Sequence, residues 1–429
     1  MADLVIVGAG PAGIGAAAEA TQAGLSVILI DAWDEPGGQI YAKSAGSTFS
    51  DLPAEVTAGL RLDLVEARFG EEVWGAFDRG RILGLRRGDA AYELRADHLV
   101  IATGAAERVC PFPGWDDPAV LSAGGAQRLL KTAGMVPDGR VLIAGSGPFL
   151  RTVCADLVEA GAEVVGLLEE RQRRQLATLA IAFARQPTRA AEASRYIRRT
   201  RQVHVRFGVG VVAYRDGSAL LSDGTRVACE TLLVGSGFRP RSELARLADC
   251  AVTAAGTITN DLQATSNDGI WAAGEVTGIG GALLASVEGR IAGAAAARSC
   301  GANITDQHLA RLQSDRERHR YFARALWRAW PTADVLGRTD PSTTVCRCES
   351  VVLADLRAAM DRTDLASGRA AKALLRCGMG ACQGATCGES VRAVTGRGQD
   401  LDERWEPRVR PPIAPVTIGA LAEMEVIER

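Results

Sequence analysis

Apolar residues recur along the chain in short runs that end on glycine. Leu4 to Val7 runs into Gly8-Ala-Gly10-Pro-Ala-Gly13. An Ala-rich stretch of helical spacing follows to about Gly24, and a second apolar run, Val27 to Ile30, ends at Asp31. A continuous apolar run of this length reads as a strand buried on both faces, and the order strand, glycine turn, helix, strand is the unit that binds dinucleotides. The pattern recurs: Val141 to Ala144 leads into Gly145-Ser-Gly147-Pro-Phe-Leu150, then a helical stretch to about Gly161 and the strand Glu163 to Leu168 ending at Glu169. Two such units predict two Rossmann-like domains. Between them, Glu72 to Phe77, Arg81 to Arg86 and Tyr92 to Arg95 read as short antiparallel strands.

Length and composition bound the rest. A chain of 429 residues exceeds one hydrophobic core, and its 47% apolar and 23% charged residues are ordinary for a globular protein. The 49 basic and 51 acidic residues nearly cancel, so no global field draws in nucleic acid or anionic lipid. The first residues lack the basic flank and apolar core of a secretory leader, and no apolar run reaches the ~18 residues of a membrane span. These features predict a cytoplasmic protein. Residues 171–201 carry nine arginines against the single acid Glu192, on a helical pattern that reads as a solvated face or as a surface for a partner or phosphate.

In the first glycine turn, Gly8 permits the tight turn, Gly10 lets backbone approach a pyrophosphate and Gly13 permits close packing of helix on strand, with Pro11 and Ala12 opening the helix. The phosphates then sit on the helix N-terminus. Asp31 stands where a carboxylate accepts ribose hydroxyls and repels a 2′-phosphate. In the second turn Gly145 and Gly147 are kept, Leu150 replaces the third small residue and is expected to displace the helix, and Glu169 again suits a ribose. Arg171, Arg173 and Arg174 follow it.

Five of the ten cysteines crowd between Cys346 and Cys387, which in a reducing compartment reads as a metal-ligand set. Cys346-Arg-Cys348 and Cys382-Gln-Gly-Ala-Thr-Cys387 can enclose a two-iron, two-sulfide cluster, and glycines at 378, 380, 384 and 388 free backbone N–H groups to turn toward sulfur. Spacing alone leaves Cys377 a candidate and structural zinc an alternative. There is no Cys-x-x-Cys pair, and only four histidines, none near another, so no catalytic acid–base residue is assigned.

Leu99-Val-Ile-Ala102-Thr103-Gly104 and Gly269-Ile-Trp-Ala-Ala-Gly274-Glu275, taken with the opening motif, resemble the FAD fingerprints of the glutathione-reductase-like, two-dinucleotide-domain flavoproteins, over residues 1 to about 300. The resemblance implies that Glu275 binds the ribityl chain, that Pro36-Gly37-Gly38-Gln39 lies beside the flavin, and that Gly281 and Ala282 begin a helix facing it. The Cys346–Cys387 segments resemble the bacterioferritin-associated-ferredoxin type of 2Fe-2S domain, which selects Cys346, Cys348, Cys382 and Cys387 as ligands. The order of parts, with Gly235-Ser-Gly237-Phe-Arg-Pro240, resembles the α subunit of heteromeric amine and amino-acid dehydrogenases, the group of opine oxidase, proline and hydroxyproline dehydrogenases and hydrogen cyanide synthase.

The expected fold is therefore α/β, with two Rossmann-like domains and a small helical C-terminal 2Fe-2S domain. Its parts are an FAD domain at 1–112 and 250–300, a second nucleotide domain at 113–249, a helical connector at 301–345, the cluster domain at 346–400 and an extended tail at 401–429. The resemblance implies FAD, a 2Fe-2S cluster, FMN at a subunit interface, an FAD-containing β subunit that oxidises the carbon–nitrogen bond, room for a small third subunit, and a quinone or electron-transfer protein as acceptor. The second site is a candidate for an adenine nucleotide. Two other functions remain open on the residues: a self-sufficient NAD(H) oxidoreductase and a redox-silent scaffold.

Overall fold

The computed structural model describes residues 2–362, 368–395 and 409–424. The chain forms two compact units, one of Met1–Ala106, Phe238–Arg324 and Val409–Arg429, the other of Glu107–Gly237 and Ala325–Arg408.

The first unit is built on a parallel five-stranded sheet in the order Ile270–Ala272, Leu99–Ile101, Leu4–Val7, Val27–Asp31, Val65–Phe69. Alternate side chains of each strand enter different cores. Leu4, Ile6, Val27 and Leu29 pack with the alanines of helix Pro11–Gln22 and helix Ala282–Ser299. Val5, Val7, Ile28 and Ile30 pack with Leu83, Leu85 and Leu94 of an antiparallel sheet made of Glu72–Phe77, Ile82–Arg87 and Ala90–Arg95. Both faces are covered, which is why the strands read as unbroken apolar runs.

The two helices approach at backbone distance. A Cβ at Gly289 would stand 1.9 Å from the Ala12 carbonyl oxygen, one at Gly293 2.2 Å from that of Ala16, and one at Gly15 2.5 Å from that of Ser286. Bulkier residues at these positions would separate the helices, which accounts for their alanine and glycine content. The strand Val65–Phe69 carries a polar sequence because it is the sheet edge, with Glu66 and Arg68 paired at 2.7 Å. From the C-terminal segment, Ile413 N–H donates to the Trp74 carbonyl at 2.8 Å.

The second unit repeats the plan, with parallel strands in the order Val205–Phe207, Glu163–Glu169, Arg140–Gly145, Thr231–Gly235, Val120–Ser122. Helices Ala123–Ala133 and Phe149–Glu159 pack on it through Ala126, Leu150, Val153 and Leu157. Its second face is covered by an antiparallel sheet, Val211–Arg215, Ser218–Leu221 and Arg226–Ala228, that is absent from the sequence expectations. Asp216 and Gly217, both at positive φ, make the first turn of that sheet, the Asp-Gly dipeptide favoured in two-residue hairpins. The arginine-rich stretch is helical over Arg173–Leu176, Ala180–Ala184 and Pro187–Arg199.

The cysteine-rich segment forms the hairpin Thr344–Cys346 with Val351–Val352 and the helices Leu353–Asp361, Gly368–Leu375 and Gly388–Thr395, around Val345, Leu353, Leu356, Met360 and Val391. Arg108 ties it to the rest of the unit through Glu389 at 2.8 Å and the Ala333 carbonyl at 2.6 Å, and Trp115 donates to the Thr344 carbonyl at 2.6 Å. No helix among the described residues is long and apolar enough to cross a membrane.

Candidate flavin site and cysteine cluster

The first glycine turn is forced by contacts that only hydrogen at Cα permits. Gly8 has φ +109°, and a Cβ there would lie 2.2 Å from the Ala102 carbonyl oxygen; a Cβ at Gly13 would lie 1.7 Å from that of Gly8. Gly10 differs, because the nearest atom to its would-be Cβ is the Gly38 Cα at 3.9 Å. The space above Gly10 is open, as a close-lying pyrophosphate requires. The helix Pro11–Gln22 begins at Gly10 without a side-chain cap, so its N-terminal N–H groups and dipole suit an anion.

Asp31 is buried, and its carboxylate accepts from Ala9 N at 2.6 Å and Trp33 N at 3.0 Å. The same turn receives the Pro36–Gln39 loop: Gly37 N donates to the Ala9 carbonyl, and Gly38, at φ +61°, lies against Gly10. Ala102 N donates to the Val7 carbonyl, and Thr103 and Gly104 follow in a turn held by Thr103 Oγ1 to the Arg241 carbonyl at 2.7 Å.

Gly274, at φ +78°, brings the next loop against the N-terminus of the same helix; a Cβ there would be 2.7 Å from Ala12 Cβ. Glu275 follows, its Oε1 accepting from Gly281 N at 3.2 Å where Gly281 and Ala282 open helix Ala282–Ser299. Burial raises the Glu275 carboxyl above its ordinary range, and the Gly281 N–H opposes that shift. Thus the structure brings Gly8, Gly10, Pro11, Ala12, Gly13, Asp31, Gly38, Gln39, Ala102, Thr103, Gly104, Gly274, Glu275, Gly281 and Ala282 into one unit, about the C-terminal ends of its parallel strands.

Two residues of this site carry no motif. Glu288 is buried on helix Ala282–Ser299, accepts from Gly274 N at 3.2 Å and Thr277 Oγ1 at 3.1 Å, and pairs with Arg320 at 3.1 Å. It anchors the turn that carries Glu275. Burial raises its carboxyl and Arg320 opposes the rise. The available signal was an acid in an otherwise small-residue, apolar helix, since a buried charge needs a partner.

In the second unit, a Cβ at Gly145 would meet the Gly235 carbonyl oxygen at 1.9 Å, whereas Gly147, at φ +124°, has open space around it. Leu150 does not displace its helix. It is buried over Gly235, where a Cβ would stand 2.7 Å from its Cδ2, so a glycine on the neighbouring strand makes room for the leucine. Glu169 Oε1 accepts from Arg171 N at 2.9 Å; its Oε2 accepts from Gly147 N at 3.2 Å and from the Trp330 indole N–H at 3.1 Å. Burial raises this carboxyl too.

The five clustered cysteines meet through their sulfurs: Cys346 with Cys377 and Cys387, Cys382 with Cys348 and Cys387. Cys382 N donates to the Cys348 sulfur, and Thr386 N donates to that of Cys382. The hydrogen bond with Cys387 chiefly draws the Cys382 thiol down to about 4 and the Cys387 thiol up. Burial, then Cys346, pushes Cys377 up to about 12. The two loops touch because residue 380 is glycine: a Cβ there would lie 2.3 Å from Cys348 Cβ. Among the described residues no group of three or more His, Cys, Asp or Glu side chains is disposed to hold a metal ion. The thiols close on one another in pairs instead.

Comparison with known proteins agrees with this geometry. The family model described as pyridine nucleotide-disulphide oxidoreductase matches residues 2–301. One of the two kinds of chain that make up opine oxidase in Rhizobium meliloti is 31% identical over 98% of this chain and 87% of its own. Hydrogen cyanide synthase subunit HcnB of Pseudomonas aeruginosa is 31% identical over 98% of both. The crystal structure of L-proline dehydrogenase from P. horikoshii superposes with a TM-score of 0.71 at 21% identity, covering 98% of this chain and 79% of that one, a likeness of fold.

Proposed function

The chain belongs to the pyridine nucleotide-disulphide oxidoreductase family and is an FAD-dependent oxidoreductase, and from that premise we propose that it is the electron-transfer subunit of a heteromeric dehydrogenase. In this reading a partner flavoprotein subunit oxidises the carbon–nitrogen bond of an amine, imino acid or opine, and the present chain carries the electrons onward through FAD and a 2Fe-2S cluster. The observation that carries the reading is the gathering of five cysteines on two touching loops in a chain whose relatives are named as subunits of opine oxidase and hydrogen cyanide synthase.

The residues suit both groups. Gly10 and the uncapped helix N-terminus hold a pyrophosphate, Asp31 the adenosine ribose and Glu275 the ribityl chain, with Glu288 fixing the Glu275 turn. Cys346, Cys348, Cys382 and Cys387 hold the cluster, with Cys382 already biased toward thiolate and backbone N–H groups aimed at two sulfurs. Cys377, buried and held protonated, stands beside them as a neighbour. A flavin accepts two electrons and releases them singly, whereas such a cluster takes one, so the pair converts a two-electron delivery into single-electron steps.

The test is purification of the chain by itself and together with its partner. The isolated chain should contain FAD, iron and sulfide yet fail to reduce a dye with proline, hydroxyproline or an opine, and activity should appear only in the complex. Robust oxidation of any of these by the isolated chain would overturn the reading.

A further inference from the structure

Dinucleotides on parallel sheets lie across the C-terminal ends of the strands, with pyrophosphate on the glycine turn and ribose on the acid that ends the next strand. In the second unit those groups are Gly145-Ser146-Gly147 and Glu169, and strand register sets Gly145 directly opposite Glu169. Ribose recognition needs carboxylate lone pairs directed at open space. Backbone N–H groups of Gly147 and Arg171 take one position on each oxygen, as such groups commonly do in nucleotide sites. The indole N–H of Trp330 then takes a further one, on Oε2, from another part of the chain.

Trp330 is held there from both sides. It stands at the end of helix Asp306–Ala329, which Pro331 prevents from continuing, and the Pro331 carbonyl accepts from Arg171 Nη2 at 2.9 Å. Further along, Arg338 pairs with Glu170 at 2.6 Å, reaches the Val211 carbonyl at 3.3 Å and lies over the Phe112 ring at 5.7 Å. Segment 330–338 is therefore fastened at two ends to the residues that follow the strand carrying the ribose acid. The donors are also matched in polarity: an indole N–H and an arginine offer to Glu169 and Glu170 what the ribose hydroxyls of a nucleotide would offer.

We infer that Trp330 determines nucleotide specificity in this chain, closing the ribose end of the second cradle so that the protein takes FAD as its one dinucleotide and does not bind NAD(H). The glycine turn behind Trp330 keeps its cradle form, with nothing within 4 Å of a Cβ at Gly147. Removing the indole therefore uncovers a built site rather than a random cavity. The inference concerns nucleotide binding alone; it stands or falls independently of the electron-relay reading, which tests partner-dependent turnover.

The experiment uses the full chain with its FAD bound and titrates ADP-ribose, a probe with the ribose and pyrophosphate but no redox chemistry, by calorimetry and equilibrium dialysis. Wild type should show no saturable binding at millimolar probe. Trp330→Ala should gain saturable binding at least about tenfold tighter, and Trp330→Ala with Glu169→Ala should lose that gain, because the freed carboxylate is what recognises the diol. Arg338→Ala, which releases the far end of the same segment, should give a smaller gain. Saturable binding by wild type, or a Trp330→Ala protein that binds no better, would overturn the inference. The wild-type titration decides by itself if the variants fail to fold.

Discussion

Glu288 and Arg320 meet at 3.1 Å beneath the turn that carries Gly274 and Glu275, and the other Glu288 oxygen accepts from Gly274 N and Thr277 Oγ1. The carboxylate is 3% exposed. A single-partner deletion at such a site leaves a buried charge unpaired, at a cost of about 3–5 kcal/mol.

Glu288→Ala should therefore lower thermal stability and weaken FAD retention together, as followed by melting temperature and by flavin released on gel filtration. Glu288→Gln keeps acceptors for Gly274 and Thr277 and should retain FAD better than the alanine variant at equal stability loss. Equal flavin loss in both would assign the effect to packing rather than to the turn.

The glycines of the first turn should separate into two classes. Gly10→Val projects into open space, so the protein should fold, with a far-ultraviolet dichroism spectrum like wild type, and lose its flavin. Gly13→Ala places a methyl 1.7 Å from a backbone oxygen and should lose stability first, by at least about 1–3 kcal/mol as an overpacked core position does. Full FAD content in Gly10→Val would sink the assignment of this site.

Cluster variants should divide four against one. Cys346→Ala, Cys348→Ala, Cys382→Ala and Cys387→Ala should each lose visible iron–sulfur absorbance, with iron and sulfide falling from about two per chain. Cys377→Ala should keep both. The reverse pattern would move the ligand register by one cysteine, and stoichiometric zinc without sulfide would end the relay reading.

A pH dependence follows from Glu107, which accepts from Gly124 N at 2.8 Å at the start of helix Ala123–Ala133 and whose carboxyl is raised above 4.5, chiefly by burial. Between the unfolded value near 4.5 and the higher folded value, the folded state binds more protons. Unfolding free energy from this group is therefore full at low pH and falls as pH rises through the folded value. Urea titrations of wild type and Glu107→Gln across that window should show a steeper decline for wild type; identical slopes would refute it.

The dinucleotide cradles were legible because a glycine turn leaves its mark in both spacing and residue type: a Cβ at Gly8, Gly13 or Gly145 collides with backbone, so no other residue fits. The strand Val65–Phe69 was not, since an edge strand alternates with solvent and carries Glu66 and Arg68 like a loop. The sheet Val211–Ala228 had a usable signal in Asp216-Gly217, but its short, polar strands are faint beside the parallel repeats. Leu150 looked disruptive because its compensation, Gly235, lies on a strand far along the chain. Glu288 with Arg320, and Glu169 with Trp330, are pairings between distant segments, and only three-dimensional placement joins them. The proline tail read as extended, and Ile413 shows where it lies, against Trp74 of the flavin-binding unit.

That last contact has a bearing on biosynthesis. The first unit draws on three separated stretches, and the residue that hydrogen-bonds Trp74 leaves the ribosome long after Trp74 itself. Its opening strands must wait, partly assembled, while the whole second unit is translated, and the helix that closes over the glycine turn also comes late. Flavin capture is thereby deferred until translation is well advanced, and a stalled or nicked nascent chain would reach quality control as a colourless intermediate.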